Sequence, residues 1–162
     1  MNANKALWER GDFTRIAAAM RESGDELVES LGIGPGMDVL DLGCGDGTTA
    51  LPAAQRGARV LGVDIAANLV AAGNARASAA GLQNLRFQEG DASDLADLGD
   101  ENFDLVVSIF GAMFAPRPFD VANESSSPVA TTGLNQASIA PVFWVYLGDL
   151  MTRSGGPPNL LA

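Results

Sequence analysis

No histidine occurs in the 162 residues, and there is one cysteine, Cys44. These absences exclude an intrachain disulfide, a Cys/His zinc cluster and every catalytic pair that uses histidine as its base. Basic residues are scarce: 10 Lys and Arg against 20 Asp and Glu give a net charge of −10. Nucleic acids and anionic membrane surfaces are gripped by Lys and Arg that displace counterions, so neither is expected as the main partner. Long apolar runs are missing too. Ile139 to Leu147 is interrupted by Pro141 and is far shorter than a bilayer span. Met1 to Asp12 has no apolar stretch of the kind a secretory signal needs. An acidic, soluble, cytoplasmic protein is the expectation. Hydrophobic residues make up 47% of a chain of single-domain length, enough for one packed core.

Charge is unevenly spread. Residues 1–120 hold 27 charged side chains and residues 121–162 only 3, Glu124, Asp149 and Arg153. Asn123 to Ser138 is rich in Ser, Thr, Asn and Gln and reads as a linker before a last apolar stretch. Three parts are expected: an N-terminal helical segment at 1–36, a core at 37–122 and an atypical tail at 123–162.

Phe13, Ile16, Ala17, Met20, Gly24, Leu27, Val28 and Leu31 recur at helical spacing and predict one amphipathic helix. Asp12 can cap its start, and Gly32 to Gly36 stops it. Met37 to Leu42, Arg59 to Val63, Leu85 to Gln88 and Phe103 to Phe110 read as strands. Helices at Thr48 to Arg56 and Asn68 to Ala80 lie between them, stopped by Gly57 and Gly81. Phe103 to Phe110 does not alternate, so both its faces are expected to be buried. Strands alternating with helices imply an α/β fold with crossovers and a mostly parallel sheet.

The most informative stretch is Val39-Leu40-Asp41-Leu42-Gly43-Cys44-Gly45-Asp46-Gly47. A strand runs into glycines and then a helix, a turn in which a ligand packs against backbone that lacks Cβ atoms. A structural turn also uses glycine, but three at alternate positions exceed what turn geometry needs. A dinucleotide fingerprint needs glycine at 43, 45 and 48, whereas position 48 is Thr and the third glycine is Gly47. Asp41, inside the strand end, repels a pyrophosphate and attracts a cation. A nicotinamide-dinucleotide domain is therefore disfavoured. S-adenosylmethionine, with a sulfonium, an ammonium and no phosphate, fits better.

Two further acids suit that cofactor. Asp64 ends the second strand, seventeen residues after Gly47, placed to accept both ribose hydroxyls, a position shared with nicotinamide enzymes. Asp91-Ala92 follows Gly90, where a carboxylate accepts the adenine amino group while a neighbouring N–H donates to the ring. Taken singly, Asp91 serves equally as a turn residue and Asp64 as the start of the next helix. Together with Asp41 they mark the carboxyl ends of three strands, the edge along which open parallel sheets bind ligands.

Val39 to Gly47, Val60-Leu61-Gly62-Val63-Asp64, Gly90-Asp91-Ala92 and Phe103-Asp104-Leu105-Val106-Val107-Ser108 together resemble a class I S-adenosylmethionine-dependent methyltransferase, of the small-molecule branch related to quinone biosynthesis. Trp8 to Ala17 resembles the N-terminal segment that some of those enzymes fold over the cofactor. The resemblance implies that Gly43, Cys44 and Gly45 line the methionine end and that Asp41 holds its ammonium. It implies that Asp64 and Ile65 hold the ribose and one adenine face, Asp91 and Ala92 the adenine edge. Ser108 would contact the cofactor near the acceptor pocket. Phe110, Met113 and Phe114 form either an acceptor wall or ordinary packing. The Asn/Asp-Pro-Pro-aromatic signature of enzymes that methylate nucleobase or glutamine nitrogen is absent after the fourth strand, which points to a small-molecule acceptor.

The family continues with a helix, a Pro-Gly-Gly turn and three more strands, in the order 3-2-1-4-5-7-6. Here Phe119 to Ala122 begins that helix, and residues 123–162 match none of the rest. A Rossmann-like sheet with strands one to four and the later strands missing or replaced, through truncation or a frame shift, is the expectation. Strand four would then be an edge unless Ala140 to Leu150 covers it. Two functions stay open: a methyltransferase with a small, apolar acceptor, or a cofactor-binding chain without turnover. Any general base would be Asp, Glu, Tyr or Lys, and no residue is singled out.

Overall fold

The computed structural model describes residues 3–95, 98, 103–109 and 111. Three short helices, α1 (Ala3–Trp8), α2 (Phe13–Ala19) and α3 (Arg21–Ser30), lead into β1 (Asp38–Leu42). Then follow α4 (Ala50–Gln55), β2 (Arg59–Asp64), α5 (Ala67–Ala79), β3 (Leu85–Glu89) and β4 (Leu105–Val107). All the strand pairs are parallel, in the order β3-β2-β1-β4, with Asp41 level with Gly62 on one side and Val107 on the other. That is the Rossmann-like start that the strand–helix alternation predicts. Residues 123–162, with Ala140 to Leu150, lie outside the described residues, as do Phe119 to Ala122.

Both faces of the sheet are buried. Val39, Val60, Phe87 and Val107 pack with Val28 and the alanines of α4 on one side. Leu40, Leu42, Leu61, Val63 and Val106 pack with Leu95, Leu98 and Phe103 on the other. Successive residues of β1 serve opposite cores, which is why these strands read as continuous apolar runs. The Phe87 ring fills a slot that only glycine leaves open: a Cβ on Gly47, Gly62 or Gly73 would stand 2.6–2.8 Å from it. On the outer edge of β3, the Asn74 side chain accepts from the Phe87 N–H and donates to its carbonyl, both at 3.1 Å.

Two predicted elements differ. The single helix from Phe13 to Leu31 is two, broken at Met20 (φ −107°, ψ 6°). The halves have different targets: Gly24, Leu27 and Val28 of α3 enter the core, while α2 buries nothing. Gly24 sits so tightly that a Cβ there would lie 2.1 Å from the Thr48 carbonyl oxygen. Asp12 occupies the cap position of α2 but makes no cap bond, accepting the Thr14 hydroxyl instead. Of the strand expected over Phe103 to Phe110, the described residues hold register with β1 at Leu105–Val107. Beyond it the Ser108 hydroxyl donates to the Leu42 carbonyl at 2.6 Å, so a side chain takes over from the ladder. In α4, Pro52 falls in the first turn, where a missing N–H costs nothing.

Candidate cofactor site

The carboxyl ends of the strands and the N-terminal helices enclose a cavity of about 430 Å³. Asp41, Gly43, Cys44 and Gly45 reach it from β1 and its loop, Asp64 and Ile65 from β2, and Asp91 and Ala92 from beyond β3. Trp8, Phe13, Ile16, Ala17 and Met20 form an apolar cover. Eight of the nine residues expected to bind the cofactor thus meet around one space. Ser108 is not part of the cavity wall; its hydroxyl donates to the Leu42 carbonyl and ties β4 to β1. Phe110, Met113 and Phe114 lie outside the described residues.

Asp41 is 2% exposed, and its Oδ2 meets no hydrogen-bond donor. Burial pushes its carboxyl up to about 8, the Ala50 N–H pulls the other way, and Asp64 adds to the rise. Asp64 is also pushed up by burial, against the N–H groups of Ala66, Gly45 and Ile65. Its Oδ2 accepts from Gly45 N–H at 2.8 Å and its Oδ1 from Ala66 N–H at 2.9 Å. The carboxylate thus anchors the start of α5 while lining the cavity. Asp91 likewise anchors a turn, accepting the Ser93 N–H at 3.0 Å and hydroxyl at 2.7 Å on Oδ1.

The glycine loop offers proximity rather than donors. The N–H groups of Gly43 and Cys44 both go to the Val63 carbonyl, at 2.8 and 3.2 Å, and that of Gly45 goes to Asp64. Gly45 has φ +56°, and a Cβ there would meet no protein atom within 4 Å, which leaves room for a ligand against bare backbone. Gly111 presses on the other side, where a Cβ would stand 2.5 Å from the Gly43 Cα. Cys44 is buried, and burial pushes its thiol well up, so it behaves as a small apolar residue.

Several wall residues were not singled out from the sequence. Asp46 and Thr48 line the cavity and are held by Arg21 of α3. Nothing in a linear reading pairs Arg21 with an acid 25 positions away. Lys5 ties α1 to the site, donating to the Ile65 carbonyl at 3.1 Å and to Glu89 at 2.6 Å.

A profile of the methyltransferase-domain family matches residues 39–127. An uncharacterised protein of Mycobacterium tuberculosis is 41% identical over 122 residues, 75% of this chain and 44% of that protein. The 23S rRNA (uracil(1939)-C(5))-methyltransferase RlmD of Alkalilimnicola ehrlichii is 43% identical over 82 residues, 50% of this chain and 18% of that enzyme. Among solved structures, magnesium protoporphyrin IX methyltransferase from Synechocystis, with bound SAH, superposes with a TM-score of 0.57 at 25% identity, over 72% of this chain and 56% of that one. The chain spans less than half the length of the curated relatives it matches. With more than half of its residues inside the family match, and with the parallel order that goes with it, the chain belongs to the methyltransferase-domain family in its Rossmann-like class I form.

Proposed function

We propose that the chain is the S-adenosylmethionine-binding part of a methyltransferase whose acceptor is a small, largely apolar molecule. The observation that carries this is Asp41: a buried carboxyl with one unpartnered oxygen, in a wall to which the described residues contribute Asp but no Lys or Arg. A cationic ligand draws out the ionised form of such a group and pairs its free oxygen, which a diphosphate cannot do. The residues fit the cofactor. Asp41 would take its ammonium, Asp64 the ribose hydroxyls, Ile65 one adenine face, and Asp91 and Ala92 the adenine edge. Gly43, Cys44 and Gly45 would lie along the methionine end, with Gly45 leaving the space it needs. When bound, the cofactor supplies a methyl group on a sulfonium already primed to leave. This chain's own part is enclosure and orientation, which dominate the acceleration of such an in-line transfer.

Support for a small acceptor comes from the apolar cover of Trp8, Phe13, Ile16 and Met20, and from the Synechocystis relative, which is named for a porphyrin. An RNA acceptor is the second reading, favoured by the identity to RlmD, which is confined to 18% of that enzyme. Against it stand the net charge of −10 and the acidic wall. Calorimetry with S-adenosylmethionine and with NAD tests the cofactor: the first is expected to bind and the second not, and tighter NAD binding would overturn the reading. Methyl transfer to phenols, quinols, amines and an RNA fragment tests the acceptor. Transfer to RNA alone would favour the second reading, and binding without any transfer a non-catalytic role.

A further inference from the structure

The loop that carries Gly45 and Gly47 is clamped from behind by groups that do not touch the cavity. The Asp46 side chain is 3% exposed, and a carboxylate at that depth needs a partner. Arg21, the first residue of α3, supplies it with a two-pronged grip: Nη1 to Oδ1 at 2.8 Å and Nη2 to Oδ2 at 2.5 Å. The same Nη1 donates to the Thr48 hydroxyl at 2.8 Å, so one guanidinium spans both sides of Gly47. Arg76 of α5 donates to the Asp46 carbonyl at 2.6 Å. Gly24, one turn along α3, brings that helix onto the Thr48 backbone. Arg21 also directly follows Met20, where the cover turns into α3. Its guanidinium therefore meets the loop where the apolar cover begins.

We propose that Arg21 is a positioning residue for the cofactor: through Asp46 and Thr48 it fixes the loop backbone against which the cofactor lies. Arg21 is absent from the cavity wall while Asp46 and Thr48 are part of it, so its effect on binding is indirect. The role rests on the cofactor reading above. A planar fork is needed to hold two carboxylate oxygens and a hydroxyl at once, which an ammonium does only in part.

The test is calorimetry of S-adenosylmethionine binding to the whole chain in five forms: unaltered, R21M, R21K, D46N and R21M combined with D46N, each with its melting temperature. R21M, folded at the assay temperature, is expected to lose roughly tenfold in affinity, the equivalent of one net hydrogen bond to a charged group. R21K should recover part of the loss. Combining R21M with D46N should cost no more than R21M alone, because the two act through one contact. Unchanged affinity in folded R21M, or fully additive losses, would overturn the role of Arg21 while leaving the cofactor reading standing. Should R21M fail to fold, unchanged affinity in R21K does the same. Absence of binding by the unaltered chain would overturn the cofactor reading and this inference with it.

Discussion

The sheet-edge wall of the cavity and its helical cover are held in opposite ways. Asp41 and Asp64 are 2% and 9% exposed, fixed by parallel ladders on either side. The cover has α2 with no buried residue, Ile16 57% and Leu7 58% exposed, and attachments that are largely polar and near the surface. Lys5 bridges Glu9 and Glu89, Glu9 accepts the Ala67 N–H, and Trp8 meets Phe13 with ring centroids 4.8 Å apart. The polar wall is thus built into the fold, and the apolar cover is laid on it. Such weakly buried elements open at low free-energy cost.

Removing Asp64 should break the contrast most severely, because it holds the loop and, in the proposed function, the ligand as well. Asp64→Ala strands the Gly45 and Ala66 N–H groups and is expected to weaken cofactor binding by roughly ten- to hundredfold. Calorimetry on a variant shown to be folded reads this, and an unchanged affinity would reduce Asp64 to a structural acid.

Asp41→Asn should separate the two costs. Its carboxyl lies at about 8 in the fold against an ordinary 3.8, so the folded state favours the protonated form. Stability from this group is complete below about pH 4 and is lost as pH rises towards about 8. Asn at 41 should therefore raise the melting temperature at pH 8, leave it unchanged at pH 4, and weaken cofactor binding by about tenfold. A cationic ligand favours the ionised form, so binding below about pH 8 should release a proton and tighten as pH rises. Calorimetry in two buffers of different ionisation enthalpy counts that proton.

On the cover, effects should be smaller and salt-dependent. Lys5→Ala is expected to speed cofactor release a few-fold in dilute buffer and to have little effect at high salt, where exposed pairs are screened. Stopped-flow displacement at two ionic strengths measures it. Ile16→Ser should shift stability by less than about 0.5 kcal/mol, as a surface exchange does. A larger drop in denaturant melts would mean that α2 is packed more firmly than its exposure implies.

The polar wall was the legible part. Asp41 lies within and Asp64 at the end of an apolar run, and a run of that kind fixes both the strand and the edge at which it stops. The cover was legible in composition but not in shape. The spacing from Phe13 to Leu31 is equally regular through Met20, yet the helix breaks there and α3 packs with Gly24 on the Thr48 backbone. The bond from the Ser108 hydroxyl to the Leu42 carbonyl was not legible either, because it joins residues 66 positions apart. Arg21 and Asp46 are coupled only in the folded chain.

Asn74 gives the sheet a property that lies outside its binding role. Among the described residues β3 is the last strand in the order, and its outward N–H and C=O at Phe87 are what a second polypeptide would pair with. One amide side chain, offering an acceptor and a donor at 3.1 Å each, stands in for that neighbour. The helix that covers this margin of the sheet thereby also seals it, by mimicking a single residue of strand. Among the described residues, this border is occupied at its middle by one uncharged group, whose bonds depend neither on titration nor on screening.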